Sequence, residues 1–285
     1  MRVITLVEDS LDEEQRSRGL NSEHGLSFYI ETEKHNFLFD VGMSAVYRAN
    51  AEKLGIDVAT TEFLVLSHGH YDHGGGLKDF LENTKEEVPV YLRREAFGSF
   101  FSHRKTGLKY IGLEQELKEE YRSRLVYTHD FCRINDEVSV FSVVGKNAGY
   151  NNNLPLANTV LKKQEKNGKY VGDDFLHEQN LIIESDGRII LMSACSHCGI
   201  VNILEKFAEI YGRRPDAVIG GLHLTNPQTL ECEPENKLEQ LIKYFTEGNT
   251  KYYIGHCTGE KAFEYLKGRL GDRIEKLVSG TAISI

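Results

Sequence analysis

The apolar positions of this chain fall into short runs separated by polar turns, and the runs predict strands alternating with helices. Met1 to Asp9 reads as a first strand, and the charged stretch from Asp9 to Ser22 as a solvated loop. Leu26 to Ile30 and Asn36 to Asp40 predict two further strands, the second ending in Asp40-Val41-Gly42. Ser44 to Leu54 carries helix formers with an apolar stripe at Val46, Tyr47 and Leu54, which predicts a helix laid on a sheet face. Phe63 to Leu66 predicts a short buried strand, Leu77 to Leu81 a helix, and Val88 to Leu92 the next strand.

The second half repeats the alternation. Glu178 to Ser185 and Arg188 to Ala194 predict a hairpin, because Asp186-Gly187 supplies the two left-handed positions of a tight turn. Ile200, Ile203, Leu204, Phe207 and Ile210 then form one face of an amphipathic helix. A strand at Ala217 to Gly220, a helix at Leu238 to Phe245, a strand at Tyr252 to Ile254, a last helix and a last strand complete the chain. Such alternation suits a layered α/β sandwich. Between Arg93 and Leu176 no single period holds, although strands are expected near Leu125 to Thr128 and Val138 to Val144. The aromatic Phe97 to Phe101 cluster, the charged Glu114 to Arg124 and the polar stretch 149–155 lie there. A structureless loop of that length is improbable in a compact domain. Residues 93–176 therefore read as an insertion of about eighty residues within one domain spanning 1–285, placed as a lid or substrate-selecting region; an oligomer contact is the alternative.

Composition narrows the class. With 40% hydrophobic and 27% charged residues and no run near the ~20 apolar residues of a membrane span, the chain reads as an ordinary globular protein with no membrane partner. The N-terminal apolar run is too short for a signal peptide, and five cysteines do not suggest a disulfide framework, so a cytoplasmic protein is expected. A net charge of −9 argues against nucleic acid as a partner. A small-molecule substrate is expected, and a homo-oligomer is allowed.

The chemistry concentrates in Ser67-His68-Gly69-His70-Tyr71-Asp72-His73-Gly74-Gly75-Gly76, directly after the strand at Phe63 to Leu66. If the backbone stays extended, alternation puts His68 and His70 on one side, where they can grip one metal ion. The following turn brings Asp72 and His73 back toward it. Imidazole with carboxylate suits zinc, manganese or iron better than calcium or magnesium. His197, His223 and His256 each follow an apolar run and lie beside small residues, and strand ends along one sheet edge cluster in space. Cys195 and Cys198 form a C-x-x-C without the rest of a four-cysteine pattern, so Cys195, Cys198 and Cys257 read as small buried hydrophobes near the site.

His-x-His-x-Asp-His after a short strand resembles the signature of the metallo-β-lactamase superfamily. The resemblance implies an α/β (α+β) fold, a four-layer αββα sandwich with one or two metal ions at one edge of its sheets. Together with Glu23-His24-Gly25-Leu26-Ser27, Cys195-Ser196-His197, Gly221-Leu222-His223-Leu224 and Gly255-His256-Cys257-Thr258-Gly259, the motif resembles one branch nearly end to end. Its members are described as metal-dependent hydrolases similar to the 7,8-dihydropterin-6-methyl-4-(β-D-ribofuranosyl)aminobenzene 5′-phosphate synthase of methanogens.

The resemblance implies a ligand set of His68, His70, Asp72, His73, His197 and His256, with Asp40 and His24 supporting the ligands from behind. It implies zinc first, one ion or two, with manganese or iron as alternatives. An acid usually bridges the two metals where this chain has Cys195-Ser196-His197, so His197 is either a terminal or a bridging ligand. His223 is a ligand, a proton donor or a hydrogen-bonding group behind the ligands. The expected reaction is hydrolysis of an ester or phosphoester, with Asp72 orienting or deprotonating the water and His223 or a second metal stabilising negative charge. The branch further implies a phosphorylated, aromatic substrate, for which the Phe97 to Phe101 cluster, Arg93, Arg94 and Arg104 are candidates; core packing is the other reading of the aromatics. The rival classes are an iron-dependent oxidoreductase on the same fold and a non-catalytic metal-binding protein.

Overall fold

Strand-forming runs that are apolar on both faces must be covered on both sides, and here they build two facing seven-stranded sheets. The computed structural model describes residues 1–144, 155–226 and 228–285. The first sheet runs Ala282–Ser284, Arg2–Val7, Ser27–Glu31, Asn36–Phe39, Leu64–Val65, Val90–Arg93, Leu125–Thr128; the second runs Ile274–Lys276, Lys251–Gly255, Ala217–Gly221, Arg188–Ser193, Asn180–Ser185, Val138–Phe141, Phe131–Arg133. The predicted hairpin turn is present, with Asp186 and Gly187 at φ 54° and 73° and Ser185 opposite Arg188.

Alternation along each strand divides its side chains between layers. Phe28, Ile30, Phe37 and Phe39 meet Leu181, Ile183, Ile190 and Met192 between the sheets. Tyr29 and Leu38 instead turn outward to the helices Val46–Lys53 and Leu77–Asn83, where Tyr47, Ala51, Leu77 and Phe80 cover them. On the far side Ile182, Leu191 and Val218 pack with Ile203 and Phe207 of Ile200–Tyr211, Leu238 of Glu235–Thr246 and Leu266 of Glu260–Leu270. The layers are therefore αββα.

Residues 93–176 divide. Leu125–Thr128 joins the first sheet, while Phe131–Arg133 and Val138–Phe141 join the second. A third sheet takes up Tyr170–Gly172, Leu161–Gln164, Phe100–Arg104 and Gly107–Tyr110 in that order. The polar stretch 149–154 lies outside the described residues. The stretch from Asp9 to Ser22 is more ordered than a solvated loop: Asp12 accepts from Gln15 N–H and caps a one-turn helix, Glu13–Ser17, which buries Gln15. Among the described residues no helix is long and apolar enough to cross a membrane.

Parallel pairing places strand ends side by side. Leu64–Val65 lies between Asn36–Phe39 and Val90–Arg93, and Arg188–Ser193, Ala217–Gly221, Lys251–Gly255 and Ile274–Lys276 are all parallel neighbours. The segments leaving these ends carry Asp40, His68, Cys195, His197, His223 and His256. Asp40, Ser196, His223 and His256 hold φ of 60°, 58°, 51° and 50°. Left-handed backbone at a non-glycine residue costs about 1–3 kcal/mol and clusters at working sites.

Candidate metal centre

The one-turn helix Tyr71–Gly74 begins directly after His70, whose backbone is extended (φ −92°, ψ 148°). That extended entry sets His68 and His70 side by side, ring centroids 4.7 Å apart, and the helix turns Asp72 and His73 inward. His197 reaches the pair from the other sheet, and a donor atom from each of His68, His70 and His197 lies within 4.8 Å of the others. All three rings are buried, and the Nε2 atom of each has no hydrogen-bond partner. A buried polar nitrogen without a partner is costly, and three aimed together suit a cation.

The other ring nitrogens explain why these lone pairs face inward. Ser67 Oγ donates to Asp40 Oδ2 and so accepts from His68 Nδ1 at 2.8 Å. His73 Nδ1 donates to Asp40 Oδ2 at 2.7 Å, His197 Nδ1 to Asn158 Oδ1 at 3.2 Å, and His256 Nδ1 to Asp9 Oδ1 at 2.6 Å. Each bond keeps the proton on Nδ1, which leaves Nε2 as a donor to metal. Burial and the neighbouring imidazoles hold His68 and His197 well below the usual histidine range, so both rings are neutral.

A second cluster adjoins the first. His73 Nε2 and His256 Nε2 stand 3.2 Å apart, and Cys195 Sγ is 3.1 Å from His73 Nε2. Nitrogens on one tetrahedral ion with bonds of about 2.0–2.1 Å stand about 3.3–3.4 Å apart, so the His73–His256 pair fits a shared ion. Asp72 Oδ2 is 3.5 Å from His256 Nε2, 3.4 Å from His24 Nε2 and 3.8 Å from His73 Nε2. Burial by itself would raise the Asp72 carboxyl; the charges of His73, His24 and His256 outweigh it and hold the group well below the usual carboxylate range. His256 is held well above the histidine range, since the charge of Asp9 and its neighbours overcomes burial, so a metal ion taken up at its Nε2 would displace a proton. The residues present therefore fit one ion or two.

Asp40 stands behind the histidines, whereas His24 lines the same cavity as Asp72 and His256 and falls in one group with Asp9 and His256. Asp40 is fully buried and accepts from Ser67 N–H, Ser67 Oγ and His73 Nδ1, each at 2.7 Å. His24 Nδ1 bonds Asp9 Oδ2 at 2.8 Å. His223 lies 4.3 Å from His197 between ring centroids and shares a 4.8 Å group with Cys195 and His197. Its polar neighbour is Cys257: burial by itself would raise that thiol, and Cys195, His256 and His223 together hold it well below the usual thiol range, so ligand, proton donor and hydrogen-bonded brace all stand as readings of His223. Cys198 belongs to the apolar core beside Ile200. Cys195 does not behave as a small hydrophobe: its sulfur falls in one group with His68 and His73 and in another with His256 and Cys257.

Several supporting residues escaped the sequence reading. Glu8 and Asp9, at the end of the first strand, act as a pair: Glu8 Oε1 accepts the His256 backbone N–H while Asp9 holds its ring. Glu178 accepts from His197 N and Cys198 N at 2.7 and 2.8 Å, fixing the loop before Ile200–Tyr211. His177 Nδ1 accepts from Gly69 N–H at 3.0 Å, which leaves its Nε2 proton for Asp173 Oδ2 at 3.2 Å. That dyad pins the residue between His68 and His70. Gly69 must be glycine, because a Cβ there would stand 2.1 Å from Ala96 O. Asp9 and Glu178 had a usable signal, since each adjoins a strand-like run on the ligand-bearing edge.

The metallo-beta-lactamase superfamily profile matches residues 21–122. A 7,8-dihydropterin-6-methyl-4-(beta-D-ribofuranosyl)-aminobenzene-5'-phosphate synthase of Methanocaldococcus jannaschii is 29% identical over 99% of this chain and 96% of its own length. An uncharacterized protein of the same organism is 30% identical over 86% of this chain and 88% of its own. A crystal structure described as a metal-dependent hydrolase of the beta-lactamase superfamily superimposes with a TM-score of 0.80 at 28% identity, covering 100% of this chain and 99% of the other. With its αββα layers and its histidines at the sheet edge, this chain belongs to the metallo-beta-lactamase superfamily.

Proposed function

We propose that the protein is a metal-dependent hydrolase acting on an ester or phosphoester of a phosphorylated pterin-like or other aromatic metabolite. The observation that carries the reading is the set of inward Nε2 lone pairs on His68, His73, His197 and His256, each enforced by a partner on Nδ1. In this reading His68, His70 and His197 hold one ion and Asp72, His73 and His256 a second, zinc first and manganese or iron otherwise. Cys195 Sγ is within reach of both, and a coordinating thiol is taken up deprotonated. When bound, such an ion supplies Lewis acidity and lowers the pKa of water from about 15.7 to about 7.

The chain's own groups then have separate tasks. Asp72, kept ionised beside three imidazoles, orients the attacking water and accepts its proton. His223, at the cavity wall beside Cys257, faces the developing negative charge or protonates the leaving oxygen. Asp40, Asp9 and Glu178 hold the ligand loops still. The third sheet, with Phe100–Arg104 and Leu161–Gln164 at the cavity, is the substrate-selecting cover.

Asp72→Asn is expected to lower kcat about 10²- to 10⁴-fold, the usual worth of a positioned acid–base group, while leaving the circular dichroism spectrum unchanged. Full turnover by Asp72→Asn at unchanged metal content would remove Asp72 from this role. His177→Phe is expected to weaken metal binding roughly 10- to 100-fold in a chelator competition assay, as loss of an outer partner does; unchanged affinity would leave the dyad a packing feature only. Anomalous scattering at the zinc, iron and manganese edges on one crystal tests ion identity, ion number and the roles of His197 and His223 together. The full-length likeness to a protein named as a synthase favours a second reading, in which the site joins two substrates; product analysis with metal-loaded protein separates it from hydrolysis.

A further inference from the structure

The three arginines expected near the substrate have different surroundings. Arg93 donates to Leu176 O and pairs with Asp130 at 3.2 Å, and Arg94 lies 4.7 Å over the Tyr127 ring. Both line a separate cavity with Tyr127 and Asp130. Arg104, the last residue of Phe100–Arg104, instead lines the cavity of about 240 Å³ that also exposes His70, Asp72, His197, His223 and His256. It is the one lysine or arginine among the described residues that line this cavity.

Three further observations concern this guanidinium. Its side chain is half-buried, and its Nε is fully buried without a hydrogen-bond partner. Among the described residues its polar neighbour is the Tyr71 hydroxyl, and no carboxylate forms an ion pair with it. The strand that carries it is tied to the histidine motif, since Tyr71 N–H donates to Ile111 O and Ile111 N–H to Phe100 O at 2.8 and 2.9 Å. On the same strand Ser102 Oγ accepts from Gln228 Nε2 at 2.9 Å. The strand that carries Arg104 is therefore tied by its backbone to the histidine motif, and Arg104 shares the cavity with the apolar side chains of Ile111 and Leu161.

A guanidinium half-removed from water without an anion is unfavourable, and its planar fork matches the oxygens of phosphate or carboxylate. The geometry points to Arg104 as the specificity-determining residue of this site: it binds an oxyanion group of the substrate, phosphate or carboxylate, while the scissile bond lies at the imidazole cluster. The inference rests on the hydrolase reading for the position of the scissile bond, but not for anion binding itself. A neutral ester of equal size leaves the guanidinium without an anion and is selected against.

Calorimetry on metal-loaded protein with phenylphosphonate, benzoate and the neutral benzamide tests it. Arg104→Gln is expected to weaken one or both anions by roughly tenfold or more, with the metal content and the affinity for benzamide as in the parent. Arg104→Lys, which keeps the charge and loses the fork, should fall between. A response of phenylphosphonate alone identifies phosphate as the group; a response of both anions extends it to carboxylate. Equal affinity of parent and Arg104→Gln for both anions, at equal metal content, overturns the inference. No turnover is needed: a protein that binds phenylphosphonate through Arg104 yet cleaves no ester retires the hydrolase reading alone, and ester cleavage with anion binding indifferent to Arg104 retires this subsite alone.

Discussion

His197→Ala is expected to weaken binding of the first ion by more than about a hundredfold, beyond what loss of an outer partner costs. His197 supplies one of the three nitrogens without a hydrogen-bond partner in the His68, His70, His197 group, and Phe175, which stacks on its ring at 4.7 Å, offers no donor in its place. The fold should survive, because the His197 main chain stays fixed by Glu178. Metal content after dialysis against a weak chelator, with the circular dichroism spectrum as control, reads the outcome. A variant that retains the parent's full metal content would show that His197 is not a ligand, and the site would then rest on the His73 and His256 pair.

Asp40→Asn is expected to damage both stability and metal binding. The carboxylate is completely buried and serves three donors, and an amide of the same shape opposes at least one of them with its own N–H group. Leaving buried donors unsatisfied costs about 1–3 kcal/mol each, so a loss of about 3 kcal/mol in unfolding free energy is expected. Asparagine tolerates the left-handed backbone at this position, so the effect isolates the hydrogen bonds from backbone strain. Because His73 Nδ1 and, through Ser67, His68 Nδ1 depend on this carboxylate, metal affinity should fall roughly 10- to 100-fold as well. Urea unfolding and chelator competition measure the two effects. Ser67→Ala, which removes one of the three bonds, should show a smaller loss of both; equal stability of Asp40→Asn and the parent would contradict the bracing role.

A layered α/β sandwich was legible because the central strands of the two large sheets are apolar on both faces and the covering helices on one; the αββα order was implied by the resemblance of the histidine motif. Phe37, Leu38 and Phe39 are all buried, and their alternation between the two core layers follows from the strand period alone. The motif from His68 to His73 was legible for a different reason: its ligands lie within six residues, so local geometry brings them together. His256 could be suspected from its place after a strand. Its partner could not, because Asp9 is 247 residues away and belongs to a stretch that reads as the start of a charged loop. Asp173 and His177 lie at the end of a region without periodicity, and no local pattern points from them to Gly69.

By itself the sequence determined most strands of the two large sheets, the runs after which the histidines fall and which side chains can donate to a metal, since those depend on residue type and short-range period; the third sheet, in a region without a period, was not legible. Only the tertiary structure decided which nitrogen of each imidazole faces inward, that Cys195 stands among the candidate ligands, and that Arg104 alone of the three arginines reaches the cavity. The tautomer of a buried histidine is set by the partner of its other nitrogen. For His73, His197 and His256 those partners are Asp40, Asn158 and Asp9, brought into place only when the two sheets pack.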